Sequence, residues 1–142
     1  QITICDYIFP KDKIFAYLNL DDSELMIYEK LYALLEPNIP RPDLVIYLQA
    51  SDKVLLERIR RRSRDYEASI SERYVAELNR AYNYFFFHYT ATPLLVIDTS
   101  DIDFVERVDD LNELVTQIEH MEKGVQYYIP LGAGDGPRRK PR

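Results

Sequence analysis

Residues 42–67 read PDLVIYLQASDKVLLERIRRRSRDYE, and the order of patterns in that stretch sets the fold class. Leu44-Val45-Ile46-Tyr47-Leu48 is an unbroken apolar run introduced by Pro42-Asp43. It does not alternate apolar with polar residues, which predicts a strand covered on both faces, as in a parallel sheet. A helix is expected from about Ser51 to Arg62, with Val54, Leu55 and Ile59 facing inward. Five arginines then fall within seven residues, at 58, 60, 61, 62 and 64, and Glu67 ends the segment. Arginine presents a planar fork of donors that suits phosphate oxygens and stays charged at any physiological pH.

Working outward, two more apolar runs read as strands: Ile2-Thr3-Ile4-Cys5, and Leu94-Leu95-Val96-Ile97 after Thr92-Pro93. Helical spacing appears from Asp21 to Glu36, from Ser69 through Tyr89, and from about Phe104 to His120. Ser69 and Glu72 have the spacing of a capping box. Strand, helix, strand, helix, helix, strand, helix is an α/β order. It predicts a parallel sheet of three strands with flanking helices and an arginine-rich segment beside it. Ligands of such sheets bind beyond the carboxyl ends of the strands. Asp6, the arginine run and the loop after Asp98 fall there.

Size and composition narrow the classes. The chain has 142 residues, 46% hydrophobic and 30% charged, with a net charge of −6. One domain, spanning 1–123, is expected. The acidic balance argues against a general nucleic-acid binder, whose affinity would rest on broad phosphate neutralisation. No apolar run approaches the roughly 20 residues that span a bilayer. The one cysteine, Cys5, cannot form an internal disulfide and fits a reducing, cytoplasmic compartment. All four glycines lie in the last nineteen residues, so 1–123 holds no glycine-rich phosphate loop. Residues 124–142, with their glycines and basic residues, read as a flexible basic tail in which Tyr127, Tyr128 and Ile129 could dock locally.

The candidate residues each carry two readings. The arginines can clamp the phosphates of a nucleotide from a mobile segment, or form a solvated basic face paired with Glu57 and Asp65. Asp6 can hold Mg²⁺ through water, or cap a turn. Lys11-Asp12-Lys13 is a charged turn. Glu67 can accept from a substrate hydroxyl, or sit in a salt bridge. Asp103 and Phe104 can edge an adenine pocket, or start the last helix. Tyr82 through Tyr89 reads as core packing with some outward residues at an interface. His88 and His120 are weak catalytic candidates, and no Cys/His spacing suggests zinc.

Taken together these stretches resemble the deoxynucleoside kinase family, most closely its bacterial deoxyadenosine/deoxyguanosine kinase branch. The resemblance is carried by Asp6-Tyr7-Ile8-Phe9, Lys11-Asp12-Lys13-Ile14-Phe15-Ala16, residues 42–50, Leu56-Glu57-Arg58-Ile59 through Glu67, and Asp101-Ile102-Asp103-Phe104. It implies transfer of the γ-phosphoryl group of ATP, with Mg²⁺, to the 5′-hydroxyl of a purine deoxynucleoside. Arg58, Arg62 and Arg64 would then steady the donor phosphates. Glu67 and Asp12 would contact the substrate, Asp6 would end a strand and place magnesium, and Asp103 with Phe104 would lie beside the donor adenine. Three positions depart from the family: Tyr7 where arginine is common, Ser63 where glycine is usual, and Asp52 where proline is common.

The resemblance also implies that the phosphate loop and two strands precede residue 1. One of those strands would lie between strands 2–5 and 44–48, so open sheet edges and an inactive isolated chain are expected. A homodimer through the Tyr/Phe-rich helices is a further expectation. Two other functional readings remain at this point: a thymidylate-kinase-like nucleoside monophosphate kinase, and a non-catalytic module that binds nucleotide or a partner.

Overall fold

The structure, a computed structural model, describes residues 2–62 and 70–130. Its centre is a three-stranded parallel sheet in the order β1 (Val45–Gln49), β2 (Leu94–Asp98), β3 (Val125–Tyr128). Helices α1 (Asp12–Asn19) and α2 (Asp22–Leu35) precede it. Helices α3 (Asp52–Arg62) and α4 (Glu72–Phe87) join β1 to β2, and α5 (Val108–Glu119) joins β2 to β3.

The α/β class and the strand count match the sequence expectation, but the membership of the sheet does not. Residues 2–5 are not a strand: Ile2 and Ile4 are 90% and 92% exposed. A strand needs a neighbour to satisfy its peptide groups, and these residues meet none. The third strand is instead β3, inside the stretch read as tail. Val125-Gln126-Tyr127-Tyr128 pairs in register with Leu94 through Ile97. Gly124 turns the chain into it at φ 77°, and its carbonyl accepts from the Leu94 N–H at 2.9 Å. The tail reading is therefore corrected for 124–128, while 131–142 lie outside the described residues.

Two layers cover the sheet. On one face Phe86 of α4, and Tyr89 just past its end, pack against Val45, Tyr47, Leu94 and Val96. The Tyr47 and Phe86 rings stack with centroids 4.2 Å apart. Offset stacking of this kind adds to the area term. On the other face α5 packs Leu114 against Leu95, Ile97 and Ile102. That second layer ends at β2. Ile46 and Leu48 of β1 share its side of the sheet yet stay 38% and 44% exposed. The expectation that both faces are covered therefore holds for β2 and fails for β1.

Element starts follow local chemistry. Asp21 caps α2: its Oδ1 accepts from the Ser23 and Glu24 N–H groups, while Glu24 Oε2 accepts from the Asp21 N–H. The cap of α4 is Ser71, whose Oγ accepts from the Tyr74 N–H at 3.1 Å. The expected cap, Ser69, lies outside the described residues. Helix α1 was read only as a charged turn. It follows a 3-10 turn at Phe9–Lys11 with Pro10 inside, and buries Ile14 and Ala16. The last helix starts four residues later than expected, at Val108. Asp103 Oδ1 takes the Val105 and Glu106 N–H groups and holds 103–106 as a turn.

Candidate functional site

The carboxyl ends of β1 and β2 are tied together where the sheet opens. Thr99 donates its N–H to the Gln49 carbonyl at 2.7 Å and its hydroxyl to the same oxygen at 2.9 Å. The Ser51 N–H reaches Ser100 Oγ at 3.0 Å, which sets the start of α3 against the end of β2. Asn79 of α4 donates from Nδ2 to the Ala50 carbonyl at 3.2 Å and to Asp52 Oδ1 at 2.6 Å. These bonds anchor the start of α3 at the strand ends.

Arg58, one turn before the end of α3, points back at this junction. Its Nη1 donates to Thr99 Oγ1 at 2.9 Å, and its Nη2 donates to the Thr99 carbonyl at 2.7 Å and the Ile102 carbonyl at 3.2 Å. Its guanidinium carbon lies 6.0 Å from the centre of the Phe104 ring. Three bonds to one loop occupy the fork. As placed, Arg58 ties α3 to this loop.

Arg61 Nη1 pairs with Asp103 Oδ2 at 3.3 Å. Asp103 is thereby held from both sides, and its carboxyl lies below the ordinary aspartate range. The Glu106 N–H is the largest cause, partly opposed by desolvation and supported by Arg61 and the Val105 N–H. Asp110, buried at the start of α5, accepts the Asp103 N–H at 2.9 Å and completes the turn.

Between α3 and this loop lies a cavity of about 290 Å³, near the lower end for small-molecule sites. Val54 and Ile102 are its apolar lining. Glu57, Arg58, Arg61, Ser100 and Asp103 are its polar lining. Arg58 and Asp103 were singled out from the sequence as site residues, Arg61 entered only as part of the arginine run and Glu57 only as a salt-bridge partner, and Ser100, two residues after the strand-ending Asp98, was not named.

The remaining candidates are spread out. Arg60 pairs with Glu72 Oε1 at 2.7 Å, with both side chains exposed. Arg62 is exposed at the end of α3. Arg64 and Glu67 lie outside the described residues. Asp12 opens α1, with the Tyr7 hydroxyl against its carboxylate. Asp6 stands exposed in the extended segment before the 3-10 turn and does not end a strand. Among the described residues no three His, Cys, Asp or Glu side chains gather into a metal-holding group. Among the described residues no helix is long and apolar enough to cross a membrane.

Comparison with known proteins agrees with this architecture. The chain is 32% identical over 125 residues to the deoxyguanosine kinase of Bacillus subtilis, an overlap of 85% of this chain and 60% of that protein. It is 28% identical over 131 residues to the deoxyadenosine kinase of Lactobacillus acidophilus, covering 82% of this chain and 61% of the relative. The deoxyadenosine kinase of Dictyostelium discoideum is 41% identical over 80 residues, covering 53% of this chain and 33% of that protein. The chain thus spans about three fifths of the length of the first two relatives. The sequence profile of the family described as "Deoxynucleoside kinase" matches residues 1–122, and the chain belongs to that family.

Proposed function

We propose that the complete protein transfers the γ-phosphoryl group of ATP to the 5′-hydroxyl of a purine deoxynucleoside. The observation that carries this reading is the placement of α3. Its arginine-rich end meets the loop that follows β2, through Arg58 and Arg61, and the two together line the cavity. In this reading the donor base enters that cavity, beside Asp103 and Phe104, against the face of the tethered Arg58 guanidinium. Arg62 and Arg64 then neutralise charge on the donor phosphates, and Glu67 and Asp12 contact the acceptor. Phosphoryl transfer depends on such positioning and charge neutralisation. The names of the relatives, deoxyguanosine kinase and deoxyadenosine kinase, support a purine acceptor. Mg²⁺ remains an expectation of the family. Self-association of the chain, cytoplasmic location and the absence of nucleic-acid partners belong to the same reading.

The test is an assay of the complete protein with ATP and either deoxyadenosine or deoxyguanosine. Formation of the 5′-monophosphate is expected, and no product with either acceptor would overturn the reading. The 142-residue chain assayed alone is expected to show no turnover, because among the described residues its sheet edge at β1 is unpaired, and residues 1–123 contain no glycine-rich phosphate loop.

A further inference from the structure

Thr99, the residue after β2, is fully buried, at 0% exposed. A hydroxyl in such a place costs free energy unless its bonding capacity is used, and valine would fill nearly the same volume without that cost. Here the capacity is used on two sides. Oγ1 donates to the Gln49 carbonyl at 2.9 Å and accepts from Arg58 Nη1 at 2.9 Å.

The first of these bonds adds little to the joint between the strands. The Thr99 N–H already reaches the Gln49 carbonyl at 2.7 Å. The Gln49 side chain is held separately from α4, its Nε2 donating to Asn83 Oδ1 at 2.7 Å. What the bond does is direct the one hydroxyl hydrogen at Gln49, so that only lone pairs face Arg58. A hydroxyl free to rotate could turn its hydrogen towards the guanidinium. This one presents an acceptor alone.

The Arg58 fork is attached at two points of different kinds. Nη2 donates to the main-chain carbonyls of Thr99 and Ile102 at 2.7 and 3.2 Å, acceptors that any residues at those positions would supply. Nη1 relies on the Thr99 side chain. A planar group held at one nitrogen can turn about it, and holding the second nitrogen fixes the plane. Arg58 lines the cavity, and its guanidinium carbon lies 6.0 Å from the centre of the Phe104 ring. We propose that Thr99 is a positioning residue for the donor nucleotide: its hydroxyl fixes the plane of the Arg58 guanidinium against which the donor base lies. Being fully buried, Thr99 acts through Arg58 and does not itself meet the base. This inference rests on the kinase reading above and deepens it at the donor side.

The experiment compares the complete protein with Thr99→Val, Thr99→Ser, Arg58→Lys and the double variant that joins Thr99→Val to Arg58→Lys. Thr99→Val is expected to raise the KM for ATP about tenfold, the scale of one hydrogen bond to a charged group. It should leave kcat and the KM for the acceptor in place. Thr99→Ser keeps the hydroxyl and is expected to keep the wild-type KM for ATP. In the double variant the KM for ATP should rise no further than in Arg58→Lys alone, since Thr99 acts only through the fork that lysine lacks. An unchanged KM for ATP in Thr99→Val overturns the inference. So do equal rises in both KM values, effects of the two substitutions that multiply, a raised KM for ATP in Thr99→Ser, or a Thr99→Val protein that fails to fold. If the wild-type protein makes no 5′-monophosphate from ATP, the kinase reading and this inference fall together. If it does, and the variants give one of the overturning results, only the inference falls.

Discussion

At the scale of single residues the arginines divide by what they touch. Arg58 is half-buried and makes three bonds to the loop after β2. The pairs Arg60–Glu72 and Arg61–Asp103 are exposed, and exposed pairs are worth about 1 kcal/mol or less. They can therefore open when a polyanion arrives. Two substitutions separate the roles. Arg58→Ala is expected to cost about 2 kcal/mol, because it leaves the Thr99 and Ile102 carbonyls short of a donor, and to raise the KM for ATP in the complete protein. Arg62→Ala should leave the thermal midpoint nearly unchanged and lower kcat about a hundredfold or more. Thermal melts and steady-state kinetics check both, and an unchanged kcat for Arg62→Ala would count against the phosphate role.

At the scale of elements the joint between α4 and β1 holds one layer to the sheet. Asn83 Oδ1 accepts from Tyr47 Oη at 2.8 Å and from Gln49 Nε2 at 2.7 Å. Asn83→Ala strands both donors in a partly buried place, and a loss of about 1–3 kcal/mol is expected in denaturant titration. Ser71→Ala, which removes the cap of α4, is expected to cost about 1 kcal/mol in the same measurement. The same interface predicts a pH dependence. Burial pushes Tyr47 and Tyr82 up to about 12, with Tyr82 and Tyr7 respectively adding to it. Between pH 10 and 12 the unfolded phenols lose their protons while the folded ones keep them, so the unfolded state binds fewer protons and stability falls. The contribution is fully present below pH 10. The thermal midpoint should drop across that window, and Tyr47→Phe should flatten part of the drop.

At the scale of the whole molecule the two faces of the sheet are unequal. Ile46 and Leu48 form an apolar patch at a strand edge that is unpaired among the described residues, a combination that favours association of chains. Replacing both with threonine in the 142-residue chain is expected to reduce binding of a hydrophobic dye and self-association, with little loss of stability. Dye fluorescence and sedimentation velocity measure this. A second apolar surface runs along the outward side of α2 at Ile27, Leu31 and Leu34. The outward aromatic residues of α4, Tyr84 and Phe87, form another.

The sequence by itself determined the α/β class, β1, β2, the four longer helices to within a few residues, and the arginine-rich end of α3. Apolar run length, periodicity and capping are local properties, and these elements needed nothing more. It also marked Asp103 and Phe104, in the loop that follows a strand. It misjudged 2–5 and 125–128, since an apolar run becomes a strand only where a neighbour accepts its peptide groups. Gly124 and the flanking strand β2 supply that neighbour to a segment whose surroundings look like a tail. Only the tertiary structure decided that Arg58 is tied to Thr99 and Ile102, and that Glu57 and Arg61 meet Ser100 and Asp103 around the cavity. Those contacts join residues far apart in the chain, and their geometry exists only once the helices have packed on the sheet.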